Sequence, residues 1–464
     1  MGHARGRLYD SAGPERSGPM TPIPAVPILS ESSGRAALRR LVRTLIAALI
    51  PALFAALLVS GPLHAAAPGR TLGADTAGAQ QRKVIAGLDR VGACVALSAL
   101  RSQPLDNLAF SPMGLAQTLN VIGLGSTRDV RDLIAERFGW GGFLGGGIQL
   151  DRARAALAAE AEADPAIRFA EALSIWHAPD RKPRSGFAFV MGDAFRSLDF
   201  RTPDAVSVVN DWIAQRTGGA IADMFATLDP LTVLMVVEVL HFQGRWAMPF
   251  DPEKTGKADF RLADGGVTSV AMMNRAAMPV SFYQSERLQV VSLPFGKGGL
   301  AADLILPVAD ATADNAGNGV ADGKPADVLD LAEAVCAQQV ELPEMRIQGD
   351  RRPVQVAVPR LTIDTALDMG PALEGTGLDR AIDNTGAGRA MIEPPAAIGN
   401  VQQRTVLRLD ETGAEAASVT AAIGTRSGIE PVEMRLDRPF MLMIRHVETG
   451  LPVLLAVVRR PAEP

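Results

Sequence analysis

At 464 residues, 47% hydrophobic and 21% charged, the chain carries enough apolar material for a large core and is no disordered or low-complexity polymer. Its net charge of −5 offers no basic field for nucleic acid. The two cysteines, Cys94 and Cys336, make neither a disulfide framework nor a metal cluster; they can pair or stay as free thiols.

Residues 1–38 are polar and rich in proline and glycine and read as a disordered tail. Residues 39–67 read as a secretory signal. Arg39, Arg40 and Arg43 precede an apolar run, Leu45 to Val59, then a turn at Gly61-Pro62 and the small-residue site Ala65-Ala66-Ala67. The run contains Pro51 and is shorter than the ~20 residues of a membrane span. Export to the periplasm or beyond is therefore expected, with a retained inner-membrane anchor as the alternative. No cysteine follows the run, which excludes a lipoprotein anchor.

A Gly/Ala/Gln-rich lead, 68–81, is expected to be flexible, and 82–464 to form one large domain. Arg82 to Ser102 has the stripe of an amphipathic helix, built on Val84, Ile85, Leu88, Val91 and Val95. Asn107 to Phe110 reads as a strand leading into a helix, with Ser111 as N-cap and Pro112 in the first helical position. That helix, to about Leu124, is apolar nearly all round and should be buried. Thr127 to Phe138 reads as a short helix. Gly141 to Gly147 has neither the lysine of a phosphate-binding loop nor a strand before it, so a flexible loop is expected.

Ile167 to Trp176 alternates like a strand and Asp204 to Arg216 is helical. Val233 to Phe242 is an almost unbroken apolar run, suited to a strand buried on both faces in the middle of a sheet. Strand patterns then dominate: Phe260–Leu262, Val280–Phe282, Leu288–Pro294, Ala301–Leu306, Val354–Ile363, Phe440–His446 and Val453–Val458. The Ala/Asp/Gly/Asn tract 309–326 reads as a surface insertion. Helices early and strands late predict an α+β fold.

Catalytic patterns are missing from the sequence. The five histidines are scattered, and His177, His241 and His446 read as core or hydrogen-bonded. There is no His-Glu-x-x-His, Cys-x-x-Cys or Gly-x-Ser-x-Gly, and no serine is followed three residues later by lysine. No metal or cofactor is expected. An exported hydrolase with an unrecognised site is the weakest of the readings considered.

One segment near the end is unusual. After the strand-like Thr405 to Leu409 come Asp410-Glu411-Thr412-Gly413 and then a run of small residues. If this run were extended, Ala414, Ala416, Ser418, Thr420 and Ala422 would share one face, and Glu415, Ala417, Val419 and Ala421 the other. Such a segment is either a linker or a loop able to become an interior strand.

From about residue 83 to 461 the chain resembles the serpin (serine protease inhibitor) family. The resemblance rests on Asn107-Leu108-Ala109-Phe110-Ser111-Pro112, on Val209-Asn210-Asp211-Trp212-Ile213 with Thr217-Gly218-Gly219, and on Phe242-Gln243-Gly244-Arg245-Trp246. Val406 to Ala417, Asp437-Arg438-Pro439-Phe440 and Val457-Val458-Arg459-Arg460-Pro461 complete it in the same order. A bacterial exported member is expected.

The resemblance implies a single domain with helices packed around a large mixed β-sheet, smaller sheets, and an exposed reactive-centre loop, 412–430. It implies that a protease cuts the loop, that the cut loop inserts into the sheet, and that the protease is trapped as a covalent acyl complex. The hinge would be Glu411, Gly413, Ala414, Glu415, Ala416, Ala417 and Ser418. Small inward residues favour insertion into a close-packed interior, and no proline interrupts Glu411 to Gly428. The scissile bond is expected at Arg426-Ser427, which suits a trypsin-like enzyme, with Ser427-Gly428 as the alternative. Elastase-like, subtilisin-like or cysteine proteases are the alternative targets, and a non-inhibitory binding or storage protein is the alternative role. Ser111, Pro112, Glu238 and Gln403 would form the sheet-opening region. Glu238 and Gln403 depart from the family's usual asparagine and histidine there, and Thr412 replaces a commonly charged residue. No basic helix resembling a glycosaminoglycan site is present, since Glu160 and Glu162 follow Arg152 and Arg154. A monomer is expected.

Overall fold

A computed structural model describes residues 72–102, 107–308, 327–342, 350–382, 386–413 and 430–461. The tail and signal expected over 1–67, the insertion expected over 309–326 and the loop residues 414–429 lie outside the described residues.

The first helix, α1 (Leu72–Ser102), starts well before Arg82, so the lead expected to be flexible is helical from Leu72 onward. Its alanines and glutamines are strong helix formers that outweigh the glycines. Strand β1 (Asn107–Phe110) then leads into α2 (Pro112–Leu124). Ser111 caps α2 as expected, its side chain accepting from the Gly114 N–H, and the helix is buried almost throughout. Next come α3 (Arg128–Arg137) and α4 (Phe143–Ala163).

The start of α4 corrects the expectation of a flexible loop over Gly141–Gly147. A Cβ on Gly146 would lie 2.1 Å from the Trp140 ring, and one on Gly147 2.6 Å from Asn120 Oδ1. These glycines permit close packing of a helix.

The five-stranded sheet has the order β11 (Leu361–Asp368), β13 (Asn400–Leu409), β5 (Leu234–Gly244), β2 (Ile167–His177) and β4 (Phe195–Ser197). The predicted buried strand is thus its middle strand. Its residues alternate between two cores: Val236 and Leu240 face α2 and the main core, whereas Met235, Val237 and Val239 face a second cluster. That cluster is built on Trp176 and on Val209, Trp212 and Ile213 of the helix Ala205–Thr217, called α5 here.

A nine-stranded mixed sheet takes up most of the second half of the chain, with β10 (Asp350–Pro359), β15 (Phe440–His446) and β16 (Pro452–Val458) among its strands. A two-stranded sheet completes the set. The predicted strand Val354–Ile363 is in fact the end of β10 and the start of β11, in different sheets. The Arg360 N–H still bonds the Ala271 carbonyl at 2.8 Å, extending the register of β10 by one residue, and from Leu361 the chain pairs with β13 instead. The fold is α+β, with helices packed around a large mixed sheet and smaller sheets.

Two cross-links tie α1 to the rest. Cys94 forms a disulfide with Cys336, 242 residues away, at the end of the helix Val328–Cys336. Arg445 is buried between Asp89 (2.7 Å) and Asp303 (3.0 Å). Two of the histidines behave as read, His177 with Nδ1 2.9 Å from the Ala178 carbonyl and His446 with Nδ1 2.8 Å from Thr449 Oγ1, whereas His241 is only half-buried.

Candidate functional site

The middle of the five-stranded sheet is a parallel seam. β13 pairs with β5 from Asn400 opposite Met235 to Val406 opposite His241. Every other neighbour of these two strands is antiparallel: β11 against β13 and β2 against β5. A segment turning back from the end of β13 would run antiparallel to both seam strands.

The turn at that end is fixed by its own residues. The Asp410 side chain accepts from the Thr412 N–H (3.0 Å) and hydroxyl (2.7 Å), and the Asp410 and Gly413 backbones bond to each other across the turn. Gly413 has φ +99°, and a Cβ there would stand 2.3 Å from the Gly244 carbonyl. Only glycine fits.

Trp246 and Phe250 hold this turn against the end of β5. The Trp246 indole N–H donates to the Asp410 carbonyl at 3.0 Å and its backbone N–H to that of Thr412 at 3.0 Å, while the Phe250 N–H donates to that of Glu411 at 2.7 Å. Trp246 itself stacks on Phe295, with centroids 4.4 Å apart.

Glu411 is 6% exposed. It accepts from Thr255 Oγ1 at 2.6 Å and pairs with Arg360. Burial pushes its carboxyl up, but the hydrogen bonds from Arg360 and Thr255 and the Arg360 charge outweigh that and hold it below the ordinary range. The turn therefore begins with an ionised carboxylate whose Oε1 is held by both Arg360 and Thr255.

Lower in the seam lie the other predicted residues. Glu238 on β5 is opposite Gln403 on β13. The Gln403 amide is engaged by Ser111 on both sides: its oxygen accepts from the Ser111 N–H at 2.7 Å, and its nitrogen donates to the Ser111 carbonyl at 3.2 Å. The Ser111 hydroxyl donates to the Val453 carbonyl at 2.7 Å, joining β16 to the same knot. Pro112 opens the helix that follows.

Glu238 is 1% exposed and packs over Gly114, and neither carboxyl oxygen accepts a hydrogen bond of normal geometry. Burial pushes this carboxyl well above the ordinary range and nearby Glu171 adds to the shift; the Gln403 amide and Arg154 oppose it without cancelling it.

Glu411, Gly413, Ser111, Pro112, Glu238 and Gln403 thus lie along one seam or directly beneath it. Ala414, Glu415, Ala416, Ala417, Ser418, Arg426, Ser427 and Gly428 lie outside the described residues. Sequence reasoning did not single out Arg360, Thr255 or Gly114 as site residues. The one local sign was Arg360, at the break in a predicted strand. Among the described residues no group of acidic, histidine or cysteine side chains could hold a metal ion.

Comparison with known proteins agrees with this geometry. The family profile described as "Serpin (serine protease inhibitor)" matches residues 93–461. Mouse alpha-1-antitrypsin 1-1 is 26% identical over 379 residues, covering 76% of this chain and 83% of that protein. Rat alpha-1-antiproteinase is 26% identical over 378 residues, covering 76% and 84%. Among solved structures, Arabidopsis AtSerpin1 in its native stressed conformation superposes with a TM-score of 0.69 at 21% identity, covering 82% of this chain and 98% of that one. The thermophilic serpin tengpin, in its native state, gives 0.67 at 18% identity, covering 85% and 96%. With a family match over most of its length and serpin folds as structural neighbours, the chain belongs to the serpin family.

Proposed function

We propose that this protein is an exported, single-use inhibitor of serine proteases, with trypsin-like enzymes as the favoured targets. The observation that carries the reading is the closed parallel seam between β5 and β13, with a glycine-specific turn at the end of β13 feeding straight into small residues. A strand returning from Gly413 would find an antiparallel partner on each side. Replacing one parallel ladder by two antiparallel ones adds backbone hydrogen bonds and buried surface, which the uncut protein holds in reserve. Ala414, Ala416, Ser418 and Thr420 would enter the interior with little added volume.

The protease would attack at Arg426-Ser427, its serine forming the acyl bond to the Arg426 carbonyl as Ser427 leaves with a free amine. Insertion of the loop then carries the acylated enzyme away before water can release it. Secretion is supported by the signal-like segment 39–67 and by the Cys94–Cys336 disulfide, a bond that persists in oxidising compartments. The protein would act as a monomer, without a cofactor.

Mixing the protein with trypsin and running a denaturing gel tests this directly. The expected result is a covalent complex and a released C-terminal peptide beginning at Ser427. A peptide beginning at Gly428 would move the scissile bond. Cleavage without complex and without a gain in thermal stability would overturn inhibition in favour of a binding or storage role. A complex formed only with elastase-like, subtilisin-like or cysteine proteases would change the target class.

A further inference from the structure

Glu238 is out of place in the seam. A carboxyl without a hydrogen-bonded partner is among the most unfavourable groups to bury, and this one sits on the middle strand, at the interface that must part for a strand to enter. Ser111 takes the oxygen and one N–H of the Gln403 amide, so only its second N–H is left to serve the carboxyl, and it makes no hydrogen bond of normal geometry there. From β2 the carboxylate of Glu171 faces it, with one oxygen of its own unpartnered. From α4, Arg154 reaches Glu171 at 2.8 Å and Asp151 at 3.3 Å. From α2 comes no charged residue, only the backbone at Gly114. By strand alternation His241, Arg168 and Arg404 lie on the opposite face of the sheet.

We propose that Glu238 couples separation of the β5–β13 seam to release of a proton: as a neutral acid it keeps the seam shut, and it ionises when water enters the parted strands. The inference rests on the insertion reading above and adds regulation to it. The closed state prefers the protonated form because burial penalises the charge. The parted state hydrates the carboxyl and returns it toward the ordinary glutamate value near 4.3. The sign follows from linkage. Below that value both states hold the proton and pH has no effect. Above it, each unit of rising pH makes opening easier by up to about tenfold, until the closed-state value is reached. The protein would thus be kinetically guarded in acid and quicker to insert near neutrality. The coupling acts on the opened intermediate, so it appears in rates.

A fluorescent peptide with the sequence of residues 413–425 serves as the probe. Its rate of incorporation into the intact protein is measured from pH 5 to 8 at constant ionic strength, without any protease. Opening is read separately by hydrogen exchange of the β13 amides, corrected for the intrinsic pH dependence of exchange. Wild type should accelerate with pH in both measurements. Glu238→Gln, which keeps the shape and neutrality of the acid, should stay at the wild-type low-pH rate throughout. The infrared band of a neutral carboxylic acid should be present at pH 7 in wild type and absent from the variant. A flat wild-type exchange profile, or a slope retained in Glu238→Gln, overturns the proposal. Failure of the peptide to enter at any pH overturns the insertion reading instead, and the exchange data still decide whether opening is proton-coupled.

Discussion

Glu411 and Glu238 are buried carboxyls on the same seam, and the protein treats them in opposite ways. Glu411 has a guanidinium and a hydroxyl, and is held in its charged form. Glu238 has neither, and burial pushes it toward its neutral form. The turn at the end of β13 is thus held by a charge pair that stays formed at neutral pH, whereas in the middle of the seam burial works against any charge on Glu238. The top of the seam is pinned electrostatically, and its centre is shut only as long as water stays out.

The largest expected effect is a control that should leave this contrast intact. The Cys94–Cys336 bond closes a loop spanning 242 residues, and restricting so long a loop in the unfolded chain is worth about 3–5 kcal/mol. Reduction, or Cys94→Ser with Cys336→Ser, should lower the denaturant midpoint by that order. The pH dependence of peptide incorporation should not change. If it does, α1 and the seam are mechanically linked and the two glutamates do not act locally.

Next in size is Gly413→Val. A Cβ 2.3 Å from the Gly244 carbonyl, on a backbone at φ +99°, should cost about 2–4 kcal/mol and release the hinge from Trp246. Trp246 fluorescence and the denaturant midpoint report it. Unchanged values would mean that the turn is not fixed on β5 and the hinge is not locked.

The charge lock itself is tested by Arg360→Ala. It leaves Glu411 buried with Thr255 alone and should cost about 2 kcal/mol, reduced from the fully buried case because Arg360 is partly exposed. The folded-state value of Glu411 is depressed, so its contribution is complete above the ordinary carboxylate range and is lost as pH falls through the folded value. Wild-type stability should therefore fall below about pH 4 more steeply than that of Arg360→Ala. Glu238 has the reverse sign: its raised folded value favours the closed seam in acid and loses that advantage as pH rises. Parallel acid titrations of the two variants would collapse the contrast if both moved in the same direction.

How much of this was legible in the sequence depends on how local its cause is. The cap at Ser111-Pro112 and the apolar run of β5 were readable because one turn and one strand suffice to specify them. The glycines at the start of α4 were misread because their reason is tertiary: Trp140 and Asn120 occupy the space a Cβ on Gly146 or Gly147 would take. The break at Arg360 went unseen because strand-forming residues continue on both sides of it, although the apolar positions slip there from Val354, Val356 and Val358 to Leu361 and Ile363. The partnerships Arg360–Glu411 and Cys94–Cys336 join residues too far apart in sequence for spacing to pair them. Glu238 could be recognised as a departure from the family pattern, but its lack of partners emerges only when Gln403 is seen bound to Ser111.

The smallest effect gives the finest test of the seam's centre. A Cβ on Gly114 would lie 2.2 Å from Glu238 Oε1, so in Gly114→Ala the carboxyl must move within a closed seam. Against that strain of about 1 kcal/mol stands the helix propensity gained by replacing glycine with alanine, also about 1 kcal/mol. Gly114→Ala alone should therefore change the denaturant midpoint little. Made in a Glu238→Ala background, where the obstructing carboxyl is gone, it should stabilise by about 0.5–1 kcal/mol, and the double-mutant cycle should show a coupling of similar size. If Gly114→Ala stabilises wild type just as much, the carboxyl moves aside freely. Glu238 would then have room to find water in the closed state, and the contrast with Glu411 would narrow to a difference in partners alone.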